Sequence, residues 1–515
     1  MTTRSNNAIE GNRLPDGWTE APLRQLLAVL EAGSRPRGGV RGVATGVPSI
    51  GGEHLNNHGG FDFSNIRFVP TEFARLMSRG HVSQGDILIV KDGATTGKVA
   101  LILPDFPYPR AVINEHVFRC HPFDGIAPAF ISWFLWSRDG QKRILENFQG
   151  SAQGGINQSF ADNTDVPVAP LSEQQRIVES IARLTTGVNA VGERLARITP
   201  IIRRFRQAVL AAACCGRLTE DWRDANPRVE PTSGYLARFD SQAAKRHGTN
   251  ARKGGEELDL EAMPELPETW AYRRADSLVA HGTIITYGIV LPGPEIPEGV
   301  PYVRQQDIQD GRVLVDQLRH TTSEIAAKHE RSALLSGDVL LCIIRHLRVA
   351  IVPPGIDGAN LTQGTVRMRP SPVMTGPFLA KYLAGPHAQA WMKQRHFGMS
   401  MPRINVEHAR AIPVAVPPPS EQCEIARRVE ALMKLADAIE QRVALASARA
   451  DKTTQAILAK AFRGELVPTE ADLARAEGRD FEPASELIAR IQSVNHAAPP
   501  KRRNVKGRPK RRPKR

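Results

Sequence analysis

The sequence predicts an α/β protein built twice, as two mixed α/β domains that alternate with two long helices. Three observations carry this reading. A series of short motifs returns in the same order after about 250 residues. Each copy opens with a region rich in Gly, Pro and short β-branched runs. Each then passes into an unbroken apolar repeat of helical period.

The repeat is visible from end to end. "LPDGW" at Leu14–Trp18 returns as "LPETW" at Leu266–Trp270, and "GDILIV" at Gly85–Val90 returns as "GDVLLC" at Gly337–Cys342. "INQSFADNTDVPVAPLSEQQ" from Ile156 matches "INVEHARAIPVAVPPPSEQ" from Ile404. "AVLAAACCGRL" ending at Leu218 matches "AILAKAFRGEL" ending at Leu466, and "EPTSGYLAR" from Glu230 matches "EPASELIAR" from Glu482. The offset is 252 early, 248 through the later matches and 252 again at the end, which fits two complete units with compensating insertions.

Taken in order, residues 1–171 form the first mixed domain. "DILIV" and "VALIL" read as strands, and "APAFISWFLWSRDGQKRILENF" reads as helix. Residues 172–218 form the first long helix. Its apolar positions Ile177, Ile181, Leu184, Val188, Val191, Leu195, Ile198, Ile202, Phe205 and Val209 alternate steps of four and three. Residues 219–265, with "KRHGTNARKGGEE", read as a polar, partly flexible linker. Residues 266–419 repeat the mixed domain, with "DVLLC" and "VAIVP" as strands. Residues 420–466 repeat the helix through Ile425, Val429, Leu432, Ala436, Ile439, Val443, Ala446, Ala450, Thr453 and Ile457. A seven-residue apolar repeat of this length suits a coiled coil, because it keeps one seam towards a partner. The alternative is two independent helices, each packed on its own domain through one amphipathic face.

Each helix starts at a domain junction with the same triplet, Ser172-Glu173-Gln174 and Ser420-Glu421-Gln422. Serine ahead of the apolar period is expected to cap the first turn, and glutamate to complement the positive end of the helix dipole. Capping leaves the matched glutamines unexplained.

The chain carries little that points to catalysis. "GATTGKV" at Gly93–Val99 is one residue short of a phosphate-binding loop and lacks Ser or Thr after Lys98. The second copy has "IIRHLRV" there, so a variable turn is the better reading. His116, His346 and His408 stand singly, and the five cysteines include no CxxC pair, so neither a metal site nor a disulfide scaffold is expected. No apolar run reaches the roughly 20 residues of a membrane span, and the polar start lacks a signal-peptide core, so a cytoplasmic protein is expected. The last fifteen residues, "KRRNVKGRPKRRPKR", hold ten Lys and Arg of the net +14, which leaves +4 for residues 1–500. Residues 467–515 thus end in a basic tail suited to a polyanion or to solubility.

The order Leu-Pro-x-x-Trp, Gly-Asp-Ile/Val-Leu, Ile-Asn…Pro…Ser-Glu-Gln and a long helix ending in Gly-x-Leu, written twice over nearly the whole chain, resembles the specificity subunits of type I restriction–modification systems. The resemblance implies two target-recognition domains joined by long helices that pair as an antiparallel coiled coil. It implies that each domain recognises one half of a split double-stranded DNA site, asymmetric because the copies differ. It implies that the helices set the spacing and dock two methyltransferase subunits, that S-adenosylmethionine is bound by those partners, and that helicase-nuclease restriction subunits complete the complex. No catalytic role is implied for this chain, and no cofactor or metal within it. A rival reading is a coiled-coil scaffold that binds nucleic acid through its tail without sequence choice. Another is an enzyme built on the Gly93–Lys98 loop.

If the half-sites differ, the contacts should lie where the copies diverge and where side chains can reach base edges or phosphates. In the first unit these are Arg35, Arg37, Arg41, Lys91, Thr95, Thr96, Lys98, Gln153 and Asn157. In the second they are Tyr287, Arg304, Gln305, Gln306, Arg345, His346, Arg348 and Arg403.

Overall fold

The computed structural model of the protein describes residues 14–150, 154–247, 258–261 and 263–497. It separates into two units. One combines the chain up to Arg194 with the chain from Ala446 onward, and the other is Leu195–Leu445.

In the first unit the strands are β1 (Thr19–Pro22), β2 (Leu27–Ala32), β3 (Val47–Ile50), β4 (Arg67–Val69), β5 (Ile87–Val90), β6 (Val99–Leu101), β7 (Val112–Ile113), β8 (Val117–Pro122) and β9 (Asp165–Val168). They form an antiparallel sheet of order β2-β8-β5-β6, a mixed sheet of order β4-β3-β7, and the pair β1-β9.

The second unit has β10 (Ala271–Arg274), β11 (Thr286–Tyr287), β12 (Val300–Val303), β13 (Ile308–Gln309), β14 (Arg312–Val313), β15 (Arg319–Thr321), β16 (Val339–Cys342), β17 (Val349–Ile351), β18 (Asn360–Leu361), β19 (Thr365–Met368) and β20 (Pro413–Val416). Their orders, β11-β19-β16-β17, β15-β12-β18 and β10-β20, repeat those of the first unit strand for strand. The hairpin β13-β14 is the one added sheet among the described residues.

The central strands show why the sequence folds this way. All four residues of β5 are buried, and they divide between two cores. Ile87 and Ile89 face the main core with Phe118 and Phe130, whereas Leu88 and Val90 face a second core with Ile50 and Ile113. In β16, Val339 and Leu341 divide from Leu340 and Cys342 in the same manner. Both faces are covered, so the run is apolar throughout and does not alternate. The Gly-Asp before each strand has a separate cause. Gly85 and Gly337 take φ of 85° and 88°, where a side chain would be strained. Asp86 and Asp338 are buried and ion-paired to Arg119 and Arg369, at 2.5 Å and 2.8 Å.

The proximal long helix is Leu171–Cys214 and the distal one Pro419–Ala461. In the first unit, Ile177 and Ile181 share a core with Leu458 and Ala461. In the second, Val209 and Ala213 share a core with Ile425 and Val429, and Arg206 reaches Asp437 and Glu440 at 2.8 Å and 2.6 Å. The start of one helix thus meets the end of the other, which makes the pairing antiparallel.

The buried seam departs from strict heptads. Leu184, Val191, Phe205 and Ile439 are exposed, whereas Thr185 and Thr454 are buried. Thr453, expected on the seam, is exposed. A straight α-helix advances 3.6 residues per turn, so an alternation of four and three drifts off the contact face.

Part of the stretch expected to be a linker is folded. Helices Glu220–Ala225 and Thr232–His247 lie within it, and Leu236 and Phe239 are buried in the second unit's core. Its counterpart Ala484–Ala497 places Leu487, Ile488 and Ile491 in the first unit's core. The polar composition concealed a short amphipathic face in each.

The helix starts also differ from the expected cap. The helices begin at Leu171 and Pro419, directly after Pro170 and Pro418, so Ser172 and Ser420 lie inside the first turn. The amides of Glu173 and Gln174 bond to the Pro170 carbonyl. Pro419 takes the first helical position, where its missing N–H costs nothing.

Candidate nucleic-acid interface

The glutamates and glutamines of the two junctions are buried within their own units. The indole N–H of Trp18 donates to Glu173 Oε1 at 2.9 Å, and that of Trp270 donates to Glu421 Oε2 at 2.8 Å. The Leu-Pro-x-x-Trp motif is therefore the partner of the Ser-Glu-Gln motif. Burial pushes the Glu173 carboxyl above its ordinary range, against the bonds from the Glu470 amide and Trp18. The Gln174 amide accepts from Ala127 N at 3.0 Å and donates to Ala169 O at 2.8 Å. Gln422 accepts from Thr375 N at 2.7 Å and donates to Val373 O and Pro417 O. Ala127 and Thr375 precede helices Pro128–Trp136 and Gly376–Ala384, so each glutamine satisfies an otherwise open amide of a second helix. That is the role capping left open.

In the second unit a cleft of about 550 Å³ opens between the β16–β17 turn, the 304–306 turn and the start of β19. Six of the eight residues expected to touch DNA in this unit line it: Arg304, Gln305, Gln306, Arg345, His346 and Arg348. Three of the six are tied down. Arg304 chelates Asp307 at 2.7 Å and 2.9 Å, a pairing that raises its pKa, and also donates to Gln317 O. Gln305 donates to Gly364 O at 2.6 Å, and Arg348 to Ile308 O at 3.1 Å. Arg345 and His346 are exposed at the lip. Arg403 lies beside the lip, bridged to Ile344 and stacked over Phe397 at 5.1 Å. Tyr287 is exposed on β11, outside the lining. Cys342 faces the cleft, but burial pushes its thiol up to about 11, which suits packing and not nucleophilic chemistry.

The first unit keeps the framework and changes the side chains. Gly51 N donates to His54 Nδ1 at 2.8 Å where Arg304 N donates to Asp307 at 2.8 Å. Lys98 Nζ holds Leu55 O at 3.2 Å as Arg348 holds Ile308 O. Lys98 is therefore an anchor of the β5–β6 turn, in which Thr96 also bonds to Gly93 O. No helix follows that turn, as a phosphate loop would require. Around the same position, His116 bonds Asp92 at 2.5 Å and approaches Glu115 at 3.4 Å. Arg35 pairs with Glu115 at 2.9 Å, and Lys91 with Asp92 at 3.5 Å. Arg37 and Arg41 are exposed on the loop between β2 and β3, and Thr95 is half-buried in the β5–β6 turn. Asn157 accepts from Ser159. Gln153 lies outside the described residues.

A profile described as the type I restriction modification DNA specificity domain matches residues 15–199 and 295–445. The chain belongs to this specificity family. Among its relatives, the type I restriction enzyme EcoBI specificity subunit of Escherichia coli is 32% identical over 474 residues, covering 89% of this chain and 91% of that protein. The EcoDI specificity subunit of Escherichia coli is 30% identical over 381 residues, covering 72% and 78%. A solved chain from work on assembly and conformational transition of the type I R-M system superposes with a TM-score of 0.55 at 16% identity, covering 88% of this chain and all of that one. The two-fold order of domains and long helices is thus the architecture of the specificity family.

Two groups near the sites escaped the sequence reading. His116 looked isolated, yet it sits within a cluster of opposite charges with Asp92 and Glu115. Thr362, Gly364 and Met401 line the cleft of the second unit. Aligning "INEHV" from Ile113 with "LTQGT" from Leu361 pairs His116 with Gly364, and that alignment was the available signal. Among the described residues, no group of three or more His, Cys, Asp or Glu is arranged to hold a metal ion, and no helix is long and apolar enough to cross a membrane.

Proposed function

We propose that this specificity-family chain is the DNA-recognition subunit of a type I restriction–modification complex, with each mixed domain reading one half of an asymmetric, split double-stranded site. One observation carries the proposal. The same turns on the same framework carry Arg304, Gln305, Ile344, Arg345 and Gly364 in one unit but Gly51, Gly52, Asp92, Gly93 and His116 in the other. A scaffold that bound polyanions without choice would gain nothing from such different side chains at matched places. Two recognition surfaces of different chemistry would read two different half-sites.

In this reading the chain positions the complex and contributes no catalytic group. The long helices set the interval between half-sites and dock two methyltransferase subunits. Exposed apolar residues such as Leu184, Val191, Leu435 and Leu445 supply surface for that contact. S-adenosylmethionine belongs to those partners, which must draw the target base out of the stack. Helicase-nuclease subunits complete the restriction enzyme.

The test is to map methylated bases across the host genome with and without this gene. A split, asymmetric motif that loses its methylation on deletion is the expected result. A methylation pattern that deletion leaves unchanged overturns the proposal.

A further inference from the structure

We propose that Arg345 reads a guanine in the half-site of the second unit; this rests on the reading of the chain as a DNA-recognition subunit. The backbone holds Arg345 in an unusual place. Its φ is 61°, and among the described residues only one other non-glycine, Asp310, has a positive φ. The Arg345 amide donates to Pro402 O at 2.6 Å, and the His346 amide returns to Ile344 O at 2.7 Å. That second bond closes a three-residue turn around Arg345, and this form of turn is rare and strained for a residue with a side chain. Glycine would be the unstrained occupant, and the matching turn of the first unit has Gly93 and Gly97 at φ of 88° and 90°. The strain in the second unit is tolerated for the sake of a side chain.

That side chain is the open cation of its cleft. Arg304 is held by Asp307 and Arg348 by the Ile308 carbonyl, whereas the Arg345 guanidinium has no hydrogen bond or ion pair among the described residues. Among the described residues no carboxylate lines the cleft, and Ile344, Cys342 and Met401 give it apolar flanks. A flat group with two acceptors on one edge fits such a place. Guanine presents N7 and O6 side by side in the major groove, and the guanidinium fork matches both. Adenine sets an amino donor against one arm of the fork, and the pyrimidines lack the pair of acceptors. The charge is a choice of side chains and not a demand of the fold, because the same framework in the first unit carries Asp92 and Glu115.

The test selects sites from a random duplex library with the full-length chain and with Arg345→Gly. Glycine adopts a φ of 61° freely, so the variant should unfold at the same or a higher temperature than the parent. The parent is expected to select a split motif with a guanine that Arg345→Gly no longer requires, while the other half stays unchanged. Replacing that guanine with 7-deazaguanine, which lacks N7, should weaken the parent about 10-fold and the variant less than about 2-fold. A split motif that Arg345→Gly leaves intact overturns the assignment but leaves the recognition function standing. An equal loss of affinity on every duplex also overturns it, because that is the signature of a phosphate contact. No split motif from the parent defeats the recognition function itself, and the assignment with it.

Discussion

Gln174 shows how much a single buried residue does here. It is fully buried, and its two bonds tie the start of the proximal helix to the amide of Ala127 and the carbonyl of Ala169. Gln174→Ala would leave both groups without a partner, at roughly 1–3 kcal/mol for each buried one. The expected outcome is a clear fall in the urea midpoint of the isolated chain. A variant that unfolds like the parent but fails to assemble with its partners would place the glutamine's role elsewhere. Only the first link of this account was legible in sequence. The repeated Glu-Gln pair marked a shared constraint, but its partners Trp18, Ala127 and Glu470 lie 155, 47 and 297 residues away. Arg345 is a similar case. Divergence between the copies singled it out together with Arg304 and Arg348, and only side-chain geometry separated the open cation from the two anchored ones.

Among the elements, the long helices were the most legible, because an apolar stripe of helical period needs no distant partner to be recognised. Their exact contact face was not. The drift from 3.5 to 3.6 residues per turn moved Leu184, Val191 and Phe205 to the surface and brought in Thr185. The polar positions of the distal helix carry a testable pH dependence. The Arg427 and Arg428 guanidiniums hold Glu424 at about 2, below its ordinary 4.5, and Arg428 also reaches Asp221 at 2.6 Å. A depressed carboxylate stabilises the folded state fully above its unfolded pKa. That contribution is lost as pH falls through the folded value. Glu424→Gln should therefore flatten the decline of Tm with pH between about 4.5 and about 2. At neutral pH it should lower Tm by the full contribution of these pairs, and the gap to the parent should close as pH falls towards about 2. An unaltered slope would show that these ion pairs do not form in solution.

At the scale of the whole molecule, the first recognition domain is completed by the far end of the chain. Ala484, Leu487, Ile488 and Ile491 are buried in a core with Trp18, Phe130 and Ile177. Ending the chain after residue 483 should remove on the order of 5 kcal/mol of apolar burial from that core. Limited proteolysis should then cut within residues 14–171 long before residues 266–419, and equal protection of the two would contradict the shared core. The sequence by itself determined the duplication, the alternation of mixed domains with long helices, and the recognition family, because these rest on local period and on the order of motifs. The tertiary structure decided which helix ends cap which core, that a polar stretch folds as two helices, and which cations remain open to a ligand. The first two depend on groups brought together across more than a hundred residues, and the third on how side chains of separate turns pair, as Arg348 does with Ile308 across 40 residues; no local pattern carries that information.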